Sequence, residues 1–321
     1  MPDKPHLAIL DRANFKLEIE KIFPAQLELL EQLVNYGTNL LPRCLDSSEG
    51  RIPDIVSILS FLKHGVTSLD AISILTREGA ALSCYPHIRS IFEIDLYLRW
   101  IFEKNYSDRA TAYFVWNLRQ KRYWLRCCRE GTREFDANLK HMEGAPGDPM
   151  KTPLSQQDLQ LEIDRADAQL ARKELTRIYD LFEGMVKNSG KDVEWYLPLG
   201  PSSIRDMAAR LGDEARYKVI YSESSQITHG LSMDSQFHFN AGGPEVVYDH
   251  IRTLDKLDQV FEMTFTLGVG IFRHCLKHYR PGELNNFNRK YKKEWRSAMQ
   301  SVPKVTKDGT TFTTSKPRKR S

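Results

Sequence analysis

The sequence predicts an all-α protein: an antiparallel helical bundle with long core helices and short satellite helices. Apolar residues recur at intervals of three and four over most of the chain, the period of a helix with one buried face. No stretch alternates with a period of two between turn signals, as a half-buried strand would. There is also no fixed-period repeat, no G-x-G-x-x-G and no Walker-type loop, which removes solenoids and the common nucleotide-binding α/β folds.

From Phe15 to Leu41, the residues Ile19, Ile22, Phe23, Leu27, Leu30, Leu33 and Val34 make one apolar stripe, and Pro24 kinks this run or divides it into two helices. A short helix is expected over Arg51 to His64, starting near Pro53. A longer helical region then runs from Ser68 to Glu103, with a break or kink near Cys84 and Tyr85 ahead of Pro86. Ser107 reads as an N-cap, and Asp108 complements the dipole of a helix ending near Arg129. Its aromatics are Tyr113, Phe114, Trp116, Tyr123 and Trp124.

Glu143 to Pro153 is a Gly- and Pro-punctuated loop. Ser155 and Asp158 approximate a capping box that opens a helix to about Lys187, closed by Asn188, Ser189 and Gly190. Short helices follow over Ser203 to Leu211 and Asp213 to Thr228, then a loop from Gly230 to Pro244. Glu245 to Tyr279 reads as one long amphipathic helix on Val247, Ile251, Leu254, Leu257, Phe261, Phe265 and Ile271, stopped by Pro281 and Gly282. A short basic helix is expected from Leu284 to Met299, and disorder after Ser301, where apolar residues almost vanish. The chain thus divides into an N-terminal helical region (1–50), a bundle core (51–282), a basic helix (283–301) and a disordered basic tail (302–321).

At 321 residues, with 41% apolar and 27% charged side chains, the chain can bury a sizeable core without staples. The five cysteines (Cys44, Cys84, Cys127, Cys128 and Cys275) form no C-x-x-C pair, and their odd count argues for reduced thiols in a cytoplasmic protein. Met1 to Asn14 lacks the layout of a signal peptide. The most apolar stretches, Ile52 to Leu62 and Phe261 to Phe272, are too short to cross a bilayer, so no membrane association is expected.

Net charge is +4 but uneven. Residues 285–321 hold eleven Lys and Arg against Glu294 and Asp308, a balance of +9, which leaves −5 for residues 1–284. Such an end attracts a polyanion, folds back on the acidic body, or remains a solvated tail. The expected nucleic-acid contacts are Arg289, Lys290, Lys292 and Lys293, with RNA or another polyanion as the partner of residues 285–321.

Three groupings could carry chemistry. Arg89 and Glu93 are four apart on a helix that otherwise reads as core, followed by Asp95 and Arg99. They read either as a polar pocket between helices or as a surface ion pair. Tyr217, Tyr221, Ser224 and Thr228 fall on one helical face, as do Tyr221, Ser225 and His229. A His beside Gly230 at a helix end suits general acid–base work, a phosphate contact or a structural hydrogen bond. Arg273, His274 and His278 end the long helix, but no third or fourth metal ligand lies nearby, so no metal and no cofactor are expected.

The R-S-x-F-E helix at Arg89 to Glu93 resembles a bacterial family of helical proteins known only as a domain of unknown function. So do Trp195-Tyr196, the segment Ser203 to Ala208 and the stretch from Tyr221-Ser222 to His229-Gly230. The likeness spans about residues 55–280 and implies an all-α fold and a bacterial or phage-related source. A more distant likeness links the chain to HEPN ribonucleases, which carry an Arg followed after four to six residues by a His. Arg273, His274 and His278 fit that spacing; at Ser224 to Gly230 a Ser stands where that pattern has Arg, and Arg89 could substitute in space.

Two readings follow. The first is a binding or regulatory module with an interhelical polar cluster, serving bacterial defence, in which Tyr221 and Ser225 help hold a ligand. The second is a metal-independent, HEPN-like endoribonuclease or toxin, with His229, Arg89 and Glu93 as its catalytic set and Arg273 with His278 as the alternative. A protein partner and a homodimer are compatible with both.

Overall fold

The computed structural model describes residues 9–48, 50, 52–142, 152–230, 237–239, 246–306 and 311–312. These residues are almost wholly helical, as the periodicity predicts. They fall into two compact units: Met1–Gly50, Ile58–Phe102 and Met207–Ser321 form the first, Arg51–Ser57 and Glu103–Asp206 the second.

Helices α1 (Arg12–Ile22) and α2 (Pro24–Asp46) are divided at Phe23, with Pro24 at the first position of α2, where its missing N–H costs nothing. The next two helices differ from expectation. Helix α3 runs unbroken over Ile52–Arg77, and α4 covers Ala81–Glu103 with Pro86 inside it. The break falls instead at Gly79, whose φ of +70° places it in the left-handed region. The Ala80 N–H bonds to the Leu75 carbonyl and the Gly79 N–H to that of Thr76, a Schellman ending that a glycine permits. Pro86 lies inside α4, where it removes one helical hydrogen bond, and the densely buried run that includes Ile88, Ile91, Phe92, Leu96 and Leu98 holds the helix in place around it.

Among the described residues, α3 is long and apolar enough to cross a membrane, so its length exceeds the sequence expectation. Half of its most apolar window is nonetheless buried inside the protein. Leu62, Val66 and Leu69 face inward, while Lys63, His64, Thr67 and Asp70 are exposed on the other side. That is the pattern of a core helix in a bundle.

The second unit is built on α5 (Tyr106–Cys128), α6 (Arg133–Met142), α7 (Gln156–Leu170) and α8 (Lys173–Ser189). Its α5 begins after Asn105, which takes a left-handed conformation, rather than after Ser107. The capping box of Ser155 and Asp158 forms, and Gly190 ends α8 in the left-handed conformation. The single helix expected over this span turns at Ala171 and Arg172, which lets α7 and α8 each pack on α5. Tyr106 donates to Asp54, the Ser57 hydroxyl donates to the Ala110 carbonyl at 2.7 Å, and Arg119 bridges Glu183 and Asp192. Residues 143–151 of the expected loop lie outside the described residues.

Helix α9 (Ile204–Arg210) leads to one helical run made of α10 (Glu214–Arg216), a π turn over Tyr217–Tyr221 and α11 (Ser222–Thr228). Strands β1 (Phe237–Phe239) and β2 (Val246–Tyr248) then pair antiparallel. The long helix expected from Glu245 therefore starts only at Leu257, as α12 (Leu257–Tyr279). The β-branched and aromatic run Val246-Val247-Tyr248 suits a pleated strand better than a helix. Past it, the Ile251 N–H reaches the Ile9 carbonyl and the Thr253 N–H that of Gly79.

The first unit's core is shaped by close helix approach. A Cβ on Gly37 of α2 would sit 2.5 Å from a Val66 methyl on α3 and 2.9 Å from the Phe272 ring on α12. Phe23 packs on Phe261, and Tyr36 on Phe272.

The C-terminal helical run comprises α13 (Leu284–Lys290), a second π turn over Tyr291–Trp295 and α14 (Arg296–Gln300). Phe287 and Trp295 are buried, and the Trp295 indole N–H donates to Gln32 at 2.9 Å. Residues 302–306, expected in a disordered tail, are held in place. Val302 and Val305 are buried, and Lys304 pairs with Asp258 at 2.8 Å and Glu262 at 2.9 Å. Strand β3 (Lys304–Val305) pairs with β4 (Thr311–Phe312). Residues 313–321 lie outside the described residues.

All five cysteines are free, and only Cys128 is not fully buried. Burial pushes the thiols of Cys44 and Cys84 up to about 12.

Candidate functional site

Helix α4 places Arg89 and Glu93 one turn apart on one face, and the π turn brings Tyr217 and Tyr221 to them. Arg89 Nε donates to Glu93 Oε1 at 3.0 Å, and Nη2 to the Tyr221 hydroxyl at 2.6 Å. The Arg89 guanidinium also lies 4.4 Å from the Tyr221 ring centroid, and Tyr217 stacks on Tyr221 at 4.8 Å. Tyr97 donates to the other Glu93 oxygen at 3.4 Å. The pair is neither core nor open surface: the Arg89 and Glu93 side chains are 27% and 24% exposed.

The electrostatics follow from these contacts. Partial burial opposes the Arg89 charge, but Glu93 and Tyr221 outweigh it and raise its pKa. Burial, reinforced by the Glu93 carboxylate and opposed by Arg89, raises that of Tyr221. The phenol therefore stays protonated beside its cation, and the cation stays charged beside its acid.

Further along α4 lies a second, more buried network. Asp95, 2% exposed, has Arg216 Nη2 at 3.3 Å, Arg99 Nη1 at 3.7 Å and His274 Nε2 at 3.4 Å. Asp213 accepts from Arg99 and, at 3.0 Å, from Arg216, while Arg99 also donates to the Leu211 carbonyl at 3.0 Å. Arg216 additionally sits over the Phe92 ring. Gly270 makes room for Asp95: a Cβ there would lie 2.9 Å from a carboxylate oxygen. Two carboxylates and two guanidiniums thus balance around one point where α4, α10 and α12 meet.

The π turn is the structural reason these networks coexist. Its bond from the Ser222 N–H to the Tyr217 carbonyl inserts one extra residue into the helical run. Wide turns of this kind recur at functional sites. Here Arg216 reaches Asp95 from one side of the turn, and Tyr221 reaches Arg89 from the other.

Of the residues singled out from sequence, Arg89, Glu93 and Tyr221 come together. His229 does not join them. It caps the end of α11, exposed, two turns beyond Tyr221, which is ~12 Å along a helix axis. Ser225 is half-buried on the same short helix, and Ser224 is fully buried. The alternative pair diverges as well. Arg273 lies over the Phe287 and Tyr291 rings, whereas His278 stacks on Phe102 at 4.5 Å.

Sequence reasoning missed Asp213 and Arg216, although their i,i+3 spacing beside Gly212 was a readable ion-pair signal. Of the basic residues named as nucleic-acid contacts, Lys290 pairs with Glu294 and lies over Trp295, and Arg289 donates to Asn286. Among the described residues, no group of three or more His, Cys, Asp or Glu is arranged to hold a metal ion.

The fold and these networks define an all-α protein with paired charges at a π turn. Residues 56–245 match the family of unknown function DUF5677, and the chain belongs to that family. The match includes Arg89, Glu93, Asp95, Arg99, Asp213, Arg216, Tyr221 and His229. No curated protein and no solved structure matches the chain.

Proposed function

We propose that this chain is a non-catalytic binding or regulatory module of the bacterial cytoplasm, serving in defence, whose contact site is the half-exposed cluster of Arg89, Glu93, Tyr217 and Tyr221. One observation carries the reading: Arg89 is already committed to Glu93 and Tyr221, and His229 lies two turns beyond Tyr221 on the helical run. A metal-independent ribonuclease needs a His near the 2′-hydroxyl and an uncommitted Arg near the developing phosphorane charge. An Arg held in place by an acid and an aromatic ring is instead preorganised for recognition, because little side-chain entropy remains to be lost when a ligand arrives. Ser225, on the same helical run, lies one turn beyond Tyr221.

The test is incubation of total RNA with the purified protein in excess chelator, alongside His229→Ala, Arg89→Ala and His278→Ala. Intact RNA in every sample is expected. Cleavage by the wild-type protein that His229→Ala or His278→Ala abolishes would overturn the reading in favour of the HEPN-like ribonuclease.

A further inference from the structure

The helical run from Leu284 to Gln300 has two faces of opposite character. Phe287 and Trp295 are buried within the first unit, and the half-buried Tyr291 packs under Arg273. On the other face Arg289, Lys292, Lys293 and Arg296 recur at intervals of three, one and three, and all four are exposed. Among the described residues, none of the four is in an ion pair. The basic residues that are paired lie elsewhere: Lys290 with Glu294, and Lys304 with Asp258 and Glu262. The positive balance of the C-terminal region is therefore not spent on the acidic body at this face.

We propose that the stripe of Arg289, Lys292, Lys293 and Arg296 is a sequence-independent binding surface for the phosphodiester backbone of nucleic acid. The four residues span seven positions, ~10 Å of helix, which is about one Debye length at moderate salt, so they act as a single field. Two are arginines, whose planar forks match phosphate oxygens, and two are lysines, which act as point charges. A membrane surface fits less well. Interfacial helices insert an apolar face into the lipid, and here Phe287 and Trp295 are already buried within the protein. The exposed face offers cations without an apolar wedge, which suits a backbone polyanion and offers nothing to read base edges.

The experiment measures binding of the full-length protein to a fluorescent single-stranded RNA of random sequence and to a DNA duplex, across a salt series. The four-site variant Arg289→Gln, Lys292→Gln, Lys293→Gln, Arg296→Gln is compared with the wild type. The double variant Lys290→Gln, Glu294→Gln serves as a control that removes a paired cation together with its acid and leaves the net charge unchanged. Circular dichroism confirms the fold of each.

The wild type is expected to bind with a steep salt dependence. The four-site variant should flatten the log–log slope for RNA by about 3, at roughly 0.7 per neutralised phosphate contact, and weaken binding at low salt at least tenfold. The Lys290→Gln, Glu294→Gln double variant should stay within twofold of the wild type. Equal loss on RNA and DNA supports recognition of the shared backbone; loss on only one assigns the stripe to that nucleic acid. Unchanged binding by the four-site variant would overturn the proposal, as would wild-type binding to phosphatidylserine vesicles but not to RNA or DNA. Absence of binding to any of these also overturns it.

Discussion

The α4 region and the C-terminal helical run hold comparable numbers of charged residues and treat them in opposite ways. Around α4, each guanidinium is cancelled where it stands: Arg89 by Glu93, Arg99 and Arg216 by Asp95 and Asp213. Along 284–300, the apolar face is buried and the cations on the other side face solvent, with no acidic partner among the described residues. Burial decides the difference. A charge that is 2% exposed, like Asp95, must be paired or the fold loses several kcal/mol, whereas an exposed lysine is solvated at no cost. Buried charges such as Asp95 hold helices in register, the partly exposed Arg89 is held in place by its acid, and the exposed cations of the C-terminal run are free to meet a partner.

The largest expected effect comes from unbalancing the buried network. Asp95→Ala leaves Asp213 alone to balance Arg99 and Arg216 and takes the acid from beside His274, and should lower the unfolding free energy by about 3 kcal/mol in urea denaturation. A loss under about 1 kcal/mol would mean that the network is solvated and that the contrast between the two regions is false.

Alkaline pH should act next. Burial raises the pKa values of Tyr36, Tyr85 and Tyr113, and that of Tyr221 is raised by burial and Glu93. A phenol raised in the folded state contributes stability that is fully present below its unfolded value, near 10. That contribution disappears as pH rises through the folded value. The buried thiols of Cys44 and Cys84, pushed up to about 12, lose their contribution from about pH 8.5 upward, so the urea midpoint should begin to fall there and fall more steeply above pH 10, with these phenols ionising late in the absorbance titration. A midpoint insensitive to pH between 9 and 11 would count against the burial of these phenols and thiols together.

Smaller still is the effect of the exposed stripe on folding. Lys292→Gln with Lys293→Gln should change stability by no more than about 0.5 kcal/mol, since surface substitutions away from specific contacts rarely do more. The cysteines offer a comparison by reactivity. At pH 8 a disulfide reagent should modify Cys128 well before Cys44 or Cys84, which are buried and whose thiols are pushed up to about 12. Early loss of Cys84 would indicate that the start of α4 opens.

Much of this architecture was legible in the sequence. The three- and four-residue spacing gave the long helices, and local chemistry placed the Pro24 break, the Ser155 capping box and the Gly190 ending. The errors have common causes. Pro86 drew the break away from Gly79 because a proline is a strong signal, whereas a glycine speaks only when its φ is known. Val246 to Tyr248 fitted a helical stripe by spacing and became a strand by pairing with a segment nine residues earlier.

The candidate site was half visible. Arg89 with Glu93 is a local i,i+4 pair, and Tyr221 stood out as an aromatic in a polar run. The link between Asp95 and Arg216 joins residues 121 positions apart, and the π turn that permits it has no local sequence marker. His229 was placed with the cluster by an α-helical stripe, whereas the structure has it exposed at the end of α11.

The most direct test of Arg89 as a committed structural partner is a double-mutant cycle of Arg89→Met and Tyr221→Leu, followed by urea denaturation at neutral pH. The hydrogen bond and the cation–ring contact predict a coupling of about 1–2 kcal/mol between the two positions. Additivity within about 0.3 kcal/mol would contradict it, and would return Arg89 to the pool of side chains free to act on a substrate.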